Sequence, residues 1–391
     1  MKILIIRNIP TYMNLENNTY NIQEVGLAKA LVRKGHVCDI IFWTNKNEDE
    51  VILPVDDCGK VHVFYKRGKE VLKNTVYVGC NDLFEQYDIL QPCEYNQIQA
   101  WYLSKKYPEK TVIYHGPYYS KFNKKYNFIC KLFDVFFLRS YIKRATKFIV
   151  KSEMAKVFLT EKDIDEKNIS IAGVGIDSQM FSLNDSNCTE PLYMQMKKDA
   201  NNLQLLYIGR FERRRNIFFV LDVLQRILTM ECNAKLYMIG SGEKEYLQSV
   251  FEYADKLGIR KAIVWQEQME QKYLSSVYQL ADFFLLPTEY EIFGMVLLEA
   301  MYFKTIVLTT KNGGSSMLIQ NGINGFIIDK MSPMDWANCV LQNYKDKNIV
   351  NKIQNSAADT INKNFFWDTI ANTFIEQYNL FSTRKIINKG K

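Results

Sequence analysis

A chain of 391 residues, 47% apolar and 24% charged, has globular composition and is too long for one ordinary core, so two domains are expected. Gly 18 and Pro 8 exclude a linker-rich chain, and a formal net charge of +7 leaves anionic partners open. The eight cysteines (Cys38, Cys58, Cys80, Cys93, Cys130, Cys188, Cys232 and Cys339) form no C-x-x-C pair, and the three histidines (His36, His62 and His115) lie far apart in sequence. A zinc ribbon, a disulfide framework and a His-based metal site are therefore not expected.

The chain opens with a buried-type strand, Lys2 to Ile6, whose apolar run is too short for a signal peptide or a membrane span. No other stretch reaches spanning length without charges, and the expected location is cytoplasmic. A polar loop follows. Then comes a helical pattern from Ile22 to Val32, stopped by Gly35, and a second strand from Cys38 to Trp43. Strand, helix and strand at this spacing make a βαβ unit and imply a parallel sheet. Further strands fit Val61 to Tyr65, Val76 to Val78, Thr111 to Tyr114 and Phe148 to Val150, while Leu53 to Gln97 resists assignment. The stretch from Tyr118 to Lys151 holds nine basic residues against one acid, Asp134, with aromatics interleaved, among them Tyr119, Phe122, Tyr126, Phe128, Phe133, Phe136, Phe137 and Tyr141. Two readings stay open for it: a segment lying on an anionic membrane surface, or a core helix with a solvated basic face. No nucleic-acid motif accompanies the charge, so nucleic acid is not an expected partner.

The polar stretch from Ser182 to Asn202 reads as a domain boundary. Beyond it the alternation is cleaner. Strands fit Gln204 to Ile208, Lys235 to Ile239, Ala262 to Trp265, Asp282 to Leu286, Thr305 to Leu308 and Gly325 to Ile328. Helices fit Phe218 to Leu228, Glu243 to Leu257, Gln271 to Leu280 and Met295 to Tyr302. The expected architecture is α/β: two doubly wound, Rossmann-like domains facing across a cleft. Residues 1–185 would form an N-terminal domain, 186–365 a second, and 366–391 a C-terminal helix packing back on the first. Ligands in such sheets bind beyond the carboxyl ends of the strands, so the loops there deserve the search.

Four of those loops carry suggestive residues. Gly209-Arg210-Phe211-Glu212-Arg213-Arg214-Arg215 combines backbone access with guanidinium groups suited to phosphate, though an ordinary basic loop would look the same. Gly240-Ser241-Gly242 leaves room for a flat or charged ligand at a helix start. Pro287 to Gly294 sits at the mouth of a buried strand, and Gly294 opens a helix whose first N–H groups can hold a diphosphate. Glu299 lies inside that apolar helix. Either it faces solvent or it is buried and must accept hydrogen bonds, for instance from ligand hydroxyls. Lys311-Asn312-Gly313-Gly314-Ser315-Ser316 is a further anion or sugar site, or a tight turn.

In this order and spacing, Arg210 with its basic cluster, Gly240-Ser241-Gly242, the Glu291/Glu299 pair, the Gly313-Gly314 loop and Asn321-Gly-Ile-Asn-Gly-Phe326 resemble retaining glycosyltransferases of the GT-B fold, family 4 (glycosyl transferases group 1). His115 after a strand, Gly173-Val174-Gly175-Ile176-Asp177 and Phe181 fit the same pattern. The resemblance implies transfer of a sugar, hexosyl in type, from a nucleotide-diphosphate donor to a glycan or lipid-linked acceptor in bacterial-type cell-surface polysaccharide synthesis. It implies no metal, and no cofactor beyond the donor substrate. Arg210 and Arg215 would grip the diphosphate. Gly209, Gly240, Gly242, Phe293, Gly294, Met295 and Val296 would surround the donor, and Glu299 would hold the ribose. Glu291 would contact the donor sugar, and His115 would face the reacting centre; these two are the candidate catalytic residues.

Three features depart from the family pattern. No glycine lies between Asn8 and Asn21, Met317 stands where a glutamate is frequent, and Gln266-Glu267-Gln268 replaces a glycine-containing turn. A nucleotide-sugar epimerase of the same fold and a non-catalytic partner subunit remain the alternatives. An epimerase would need no acceptor, and a non-catalytic subunit would not need the intact Arg210, His115, Glu291 and Glu299 set.

Overall fold

The structure, a computed structural model, describes residues 1–15, 22–71, 74–177, 188–230 and 233–389, with side chains through 380. Phe181 and the expected boundary at 185/186 lie outside the described residues. The chain divides into two compact units, one formed by Met1–Asp177 with Phe365–Lys391 and the other by Ser178–Asn364.

Among its described residues the first unit holds ten strands. They are β1 (Lys2–Ile6), β2 (Val37–Trp43), β3 (Asp49–Val55), β4 (Gly59–Lys66), β5 (Lys69–Val71), β6 (Asn74–Val76), β7 (Ile89–Pro92), β8 (Val112–His115), β9 (Lys147–Val150) and β10 (Ile169–Ile171). One sheet runs β3-β4-β2-β1-β7 and another runs β10-β9-β8. Parallel bridges from Leu90 to Thr111 and from Cys93 to Tyr114 join them. Every pairing in these two sheets is parallel except β3 with β4. The strands β1, β2, β7, β8 and β9 are buried along nearly their whole length, as parallel strands covered on both faces must be.

The helix Gln23–Arg33 buries Val25, Leu27, Ala28, Leu31 and Val32, and Gly35 follows it at φ +80, a left-handed conformation suited to glycine. Against this helix packs the C-terminal helix Trp367–Lys389. Its seat is specific. A Cβ on Gly26 would lie 2.2 Å from Trp367 Nε1, and one on Gly175 would lie 2.8 Å from the same ring. Arg33 Nε donates to Asp368 Oδ1 at 2.8 Å, and Tyr378 hydrogen-bonds Gln91.

Two expectations for this region are corrected. The strand placed at Val76 to Val78 is Asn74–Val76, the second arm of an antiparallel hairpin with Lys69–Val71. The unassigned region contains β7, and β10 was missed altogether. Strands of four and three residues, paired by main-chain hydrogen bonds to distant neighbours, show no period of their own.

The second unit holds β11 (Leu203–Ile208), β12 (Ala234–Ile239), β13 (Ile263–Gln266), β14 (Phe283–Leu286), β15 (Ile306–Thr309) and β16 (Phe326–Ile327). They form one parallel sheet in the order β13-β12-β11-β14-β15-β16. This is the order of a Rossmann sheet, with its reversal point between β11 and β14. The strands expected here all form, within two residues at each end. The helices Gln271–Leu280 and Met295–Tyr302 begin and end as expected. The polar stretch read as a boundary is not all linker. It contains the helix Pro191–Lys198, started by a proline in its first turn and anchored by buried Leu192 and Met196.

Candidate functional site

The loops that follow β11, β12, β14 and β15 are stitched together by backbone hydrogen bonds. Phe211 N donates to Ser241 O at 2.8 Å, Glu289 N to Arg214 O at 2.9 Å, and Gly313 N to Glu291 O at 3.0 Å. Asn216, at φ +50, donates from Nδ2 to Pro287 O at 2.9 Å, spanning the sheet's reversal point. These contacts explain the glycines. A Cβ on Gly240 would lie 1.9 Å from Gly209 O, one on Gly242 2.3 Å from Phe211 O, one on Gly313 2.2 Å from Ile292 O, and one on Gly314 1.4 Å from Phe293 O. Backbone of the neighbouring loop thus fills the room beside Gly240 and Gly242 that the sequence offered to a ligand.

Charge is arranged on this stitched frame. Arg215 Nη1 stands 2.6 Å from Glu291 Oε2, with both side chains nearly buried at 11% and 14% exposure. Arg214 reaches Glu212 at 2.6 Å and Glu291 at 3.8 Å, and donates to Tyr290 O. Expectation had Arg215 and Glu291 meeting different parts of one ligand, whereas in this structure they pair with each other. A guanidinium held this way is pre-oriented, and removing its partner would leave a nearly buried charge. Arg210 and Arg213 are exposed. Arg210 O accepts the Tyr207 hydroxyl at 2.8 Å, which fixes the turn from which its side chain leaves.

Gly294 caps the helix Met295–Tyr302 at φ +80, and no side chain caps that start. Phe293 is buried at its mouth. One helical turn further, Glu299 is 3% exposed, which removes the solvent-facing alternative. Tyr278 donates its hydroxyl to Glu299 Oε2 at 2.8 Å. So the carboxylate that needed a partner has one within the protein, from a helix the sequence did not connect with it. The structure therefore gathers Gly209, Arg210, Arg215, Gly240, Gly242, Glu291, Phe293, Gly294, Met295, Val296 and Glu299 at the carboxyl edge of one sheet, on three neighbouring loops and the helix that follows the last of them.

His115 belongs to the other unit, at the end of β8, and is fully buried. Its Nδ1 lies 2.7 Å from Glu94 Oε2, which also accepts Gly116 N at 3.2 Å. Lys151 Nζ lies 3.8 Å from Glu94 Oε1. Burial alone would raise the Glu94 carboxyl, but the His115 hydrogen bond, the Lys151 charge and the Gly116 amide hold it below its ordinary value. An ionised Glu94 can only accept, so Nδ1 carries a proton. The His115 Nε2 has no hydrogen-bond partner among the described residues. Tyr95 and Phe158 rings pack on the imidazole at 5.2 and 5.4 Å. Glu94 itself sits at φ +58, uncommon for a residue with a side chain. Sequence reasoning missed Glu94, which follows a strand too short to recognise. It also counted Lys151 and Lys147 with the basic segment, whereas Lys151 turns to Glu94 and Lys147 donates to Asn168 Oδ1 at 2.7 Å.

Residues 194–360 match the family described as Glycosyl transferases group 1. The chain is 28% identical over 240 residues to a Lipopolysaccharide 1,2-N-acetylglucosaminetransferase of Salmonella typhimurium, spanning 59% of this chain and 61% of that protein. It is 27% identical over 237 residues to an uncharacterized glycosyltransferase of Methanocaldococcus jannaschii, spanning 59% and 58%. With a D-inositol 3-phosphate glycosyltransferase of Corynebacterium kroppenstedtii it shares 26% identity over 202 residues, spanning 50% and 45%. The chain thus spans between about half and three fifths of the length of these curated relatives. Over 97% of its length it superposes on a Rickettsia africae glycosyltransferase, with a TM-score of 0.73, 18% identity and 98% of that chain covered. It also superposes on Anabaena HepE in complex with UDP, with a TM-score of 0.69, 16% identity, and 97% and 100% covered. At such identities these structures speak for the fold, which is the two-domain GT-B fold. The group 1 family match lies wholly within the second unit, around the stitched loops.

Proposed function

We propose that this chain is a retaining, metal-independent glycosyltransferase of family 4. It would move a hexose-type sugar from a nucleoside diphosphate to a glycan or lipid-linked acceptor of a cell-surface polysaccharide, working in the cytoplasm. The observation that carries this reading is the set of four interlocked loops at the reversal point of the β11–β16 sheet. They bear exposed Arg210, the Arg215–Glu291 pair and an uncapped helix start at Gly294.

In the reaction, the bond between the sugar's anomeric carbon and the diphosphate oxygen breaks as the acceptor oxygen bonds to that carbon. Negative charge grows on the leaving diphosphate. Arg210, Arg215 and the amides of Met295 and Val296 stabilise it. Glu291 keeps Arg215 aimed and contacts the donor sugar. Glu299, steadied by Tyr278, accepts from the ribose hydroxyls. His115 of the first unit, its Nδ1 proton held by Glu94, is the other candidate catalytic residue. Retention follows if the acceptor attacks from the side the leaving group departs, with a leaving phosphate oxygen taking the acceptor's proton. The Salmonella relative's name supports the cell-surface acceptor, and the HepE complex makes UDP the first nucleotide to try.

The test is a thermal-shift series with UDP, GDP and ADP and their sugars, followed by turnover of the donor that shifts the protein. Arg210→Ala and Glu299→Gln should each lower transfer by about 100-fold or more. Unchanged turnover in both variants sinks the site assignment, and no shift with any nucleotide sinks the reaction.

A further inference from the structure

The segment Lys124–Arg144 is a helix interrupted by a π-helical turn at Asp134–Leu138. Its inward side is fully employed. Phe133, Phe137 and Tyr141 pack with Tyr95, Trp101 and Phe148, and the Tyr141 hydroxyl donates to Tyr95 O at 2.8 Å. Its outward side is apolar at helical spacing. Phe128 is 67% exposed, Leu132 44%, Val135 77%, Phe136 67% and Ile142 42%. Beside Phe128, Leu132 and Phe136 lies an apolar groove of about 480 Å³, also lined by Ile98, Ile129 and Lys125. A contiguous apolar surface of this kind is unusual on a monomer and marks a docking face.

Charge says what docks there. Lys124, Lys125, Lys131, Arg139, Lys143 and Arg144 are all exposed on the same segment, as is Lys121 just before it. Its one acid, Asp134, is turned inward, paired with Lys162 and accepting the Tyr95 hydroxyl at 3.2 Å. The outward face therefore presents only positive charge around its apolar stripe. Long basic side chains can keep their charges in a headgroup layer while neighbouring rings enter the acyl region. Among the described residues no helix is long and apolar enough to cross a membrane, so this face can lie on a bilayer but not traverse it.

We propose that Lys124–Arg144 seats the protein on an anionic phospholipid bilayer, with Phe128, Leu132, Val135 and Phe136 inserted and the flanking lysines and arginines on the headgroups. The inference goes beyond the sugar-transfer reading and does not depend on it.

The experiment is flotation of the full chain with phosphatidylcholine vesicles, with and without about 30% phosphatidylglycerol. The native protein should float with the anionic vesicles alone and lose most of that association in about 0.5 M salt. Val135→Asp/Phe136→Asp removes the stripe, and Lys124→Glu/Lys131→Glu removes charge only. All four positions are exposed, so melting temperatures should not move, and each double variant should cut vesicle partitioning about ten-fold or more. Equal flotation with pure phosphatidylcholine, no flotation at all, or native flotation by both variants overturns the proposal. So does a native dimer that Val135→Asp/Phe136→Asp converts to monomer, since the face would then belong to a second copy. UDP thermal shifts, read in parallel on the same variants, report on the sugar-transfer reading separately.

Discussion

In the unit 178–364 the carboxyl ends of the strands carry guanidinium groups near the surface, with Arg215 fixed by Glu291 and Arg210 exposed. In the unit 1–177 the same ends bury a histidine and a carboxylate, with Lys151 beside them and His115 wholly out of water. The sheets are alike but the electrostatics differ. A nearly buried guanidinium held by a carboxylate on interlocked backbone suits an incoming anion, because its orientation is already set and little solvent reorganisation is needed. A buried dyad suits the holding of a proton between two fixed atoms, because its low-dielectric surroundings strengthen each hydrogen bond. One GT-B chain thus uses the same strand-end position for charge display in one unit and for orienting a buried imidazole in the other.

Backbone interlocking should be the most fragile part of the display. Gly314→Ala forces a Cβ to within 1.4 Å of Phe293 O unless the loop moves. We expect a loss of at least about 3 kcal/mol in the second unit, read by denaturant unfolding, together with loss of nucleotide-induced stabilisation. Native-like stability would mean the loops are not locked, and the contrast with the first unit would weaken.

Next in size is Glu94→Gln. It removes the charge that holds His115 and should cost about 1–3 kcal/mol. Because the Glu94 carboxyl is held below its ordinary value, its contribution is complete above about pH 4.5 and is lost as pH falls through the lower folded-state pKa. The glutamine variant should lose less stability than the native protein as pH falls through that window. Parallel acid profiles for the two would show that Glu94 is not held as an anion.

The second unit was legible in the sequence because its strands are buried runs separated by full helices and its site lies on consecutive loops. Gly209 to Arg215 and Pro287 to Glu299 could each be placed from the strand before them. What the glycines do was not legible: Gly240 and Gly314 are required by carbonyl oxygens of residues 31 and 21 positions away, and spacing does not reveal such approaches. Tyr278 was hidden for the same reason, since it meets Glu299 from another helix. In the first unit, short β7 and the hairpin β5–β6 left Leu53 to Gln97 unread, and Glu94 went with it. The basic segment was visible as composition, but not that Asp134 turns inward while Lys151 leaves the face for Glu94.

Tyr278→Phe tests how firmly Glu299 is held. Losing one hydrogen bond to a buried carboxylate should cost about 1.5–3 kcal/mol, toward the lower end here because the ring packing is kept, and should weaken nucleotide-dependent stabilisation. Full stability with native nucleotide response would show that the hydroxyl is dispensable.

The smallest effect sharpens the contrast between the units. Asp282 lies just before β14, at the amino end of its strand and away from the loops, and its Oδ2 accepts Gln204 N at 2.8 Å. Burial pushes its carboxyl up to about 6, only partly offset by that hydrogen bond. A carboxyl whose folded pKa is raised stabilises the fold fully below its unfolded value near 3.8, and that contribution is lost as pH rises through about 6. This sign is opposite to that of Glu94. Between about pH 4 and 6 the second unit should therefore lose some stability as pH rises, by no more than about 1 kcal/mol once screening at the partly exposed side chain is allowed for. Asp282→Asn keeps the shape and an acceptor oxygen without the titration, and should flatten that slope. Hydrogen exchange read separately on β7–β8 and on β11–β14 at pH 4 and 6 would resolve the two units. If acidification protects β11–β14 while exposing β7–β8, the two sheets carry opposite electrostatic logic, and if both move together with or without Asp282, they do not.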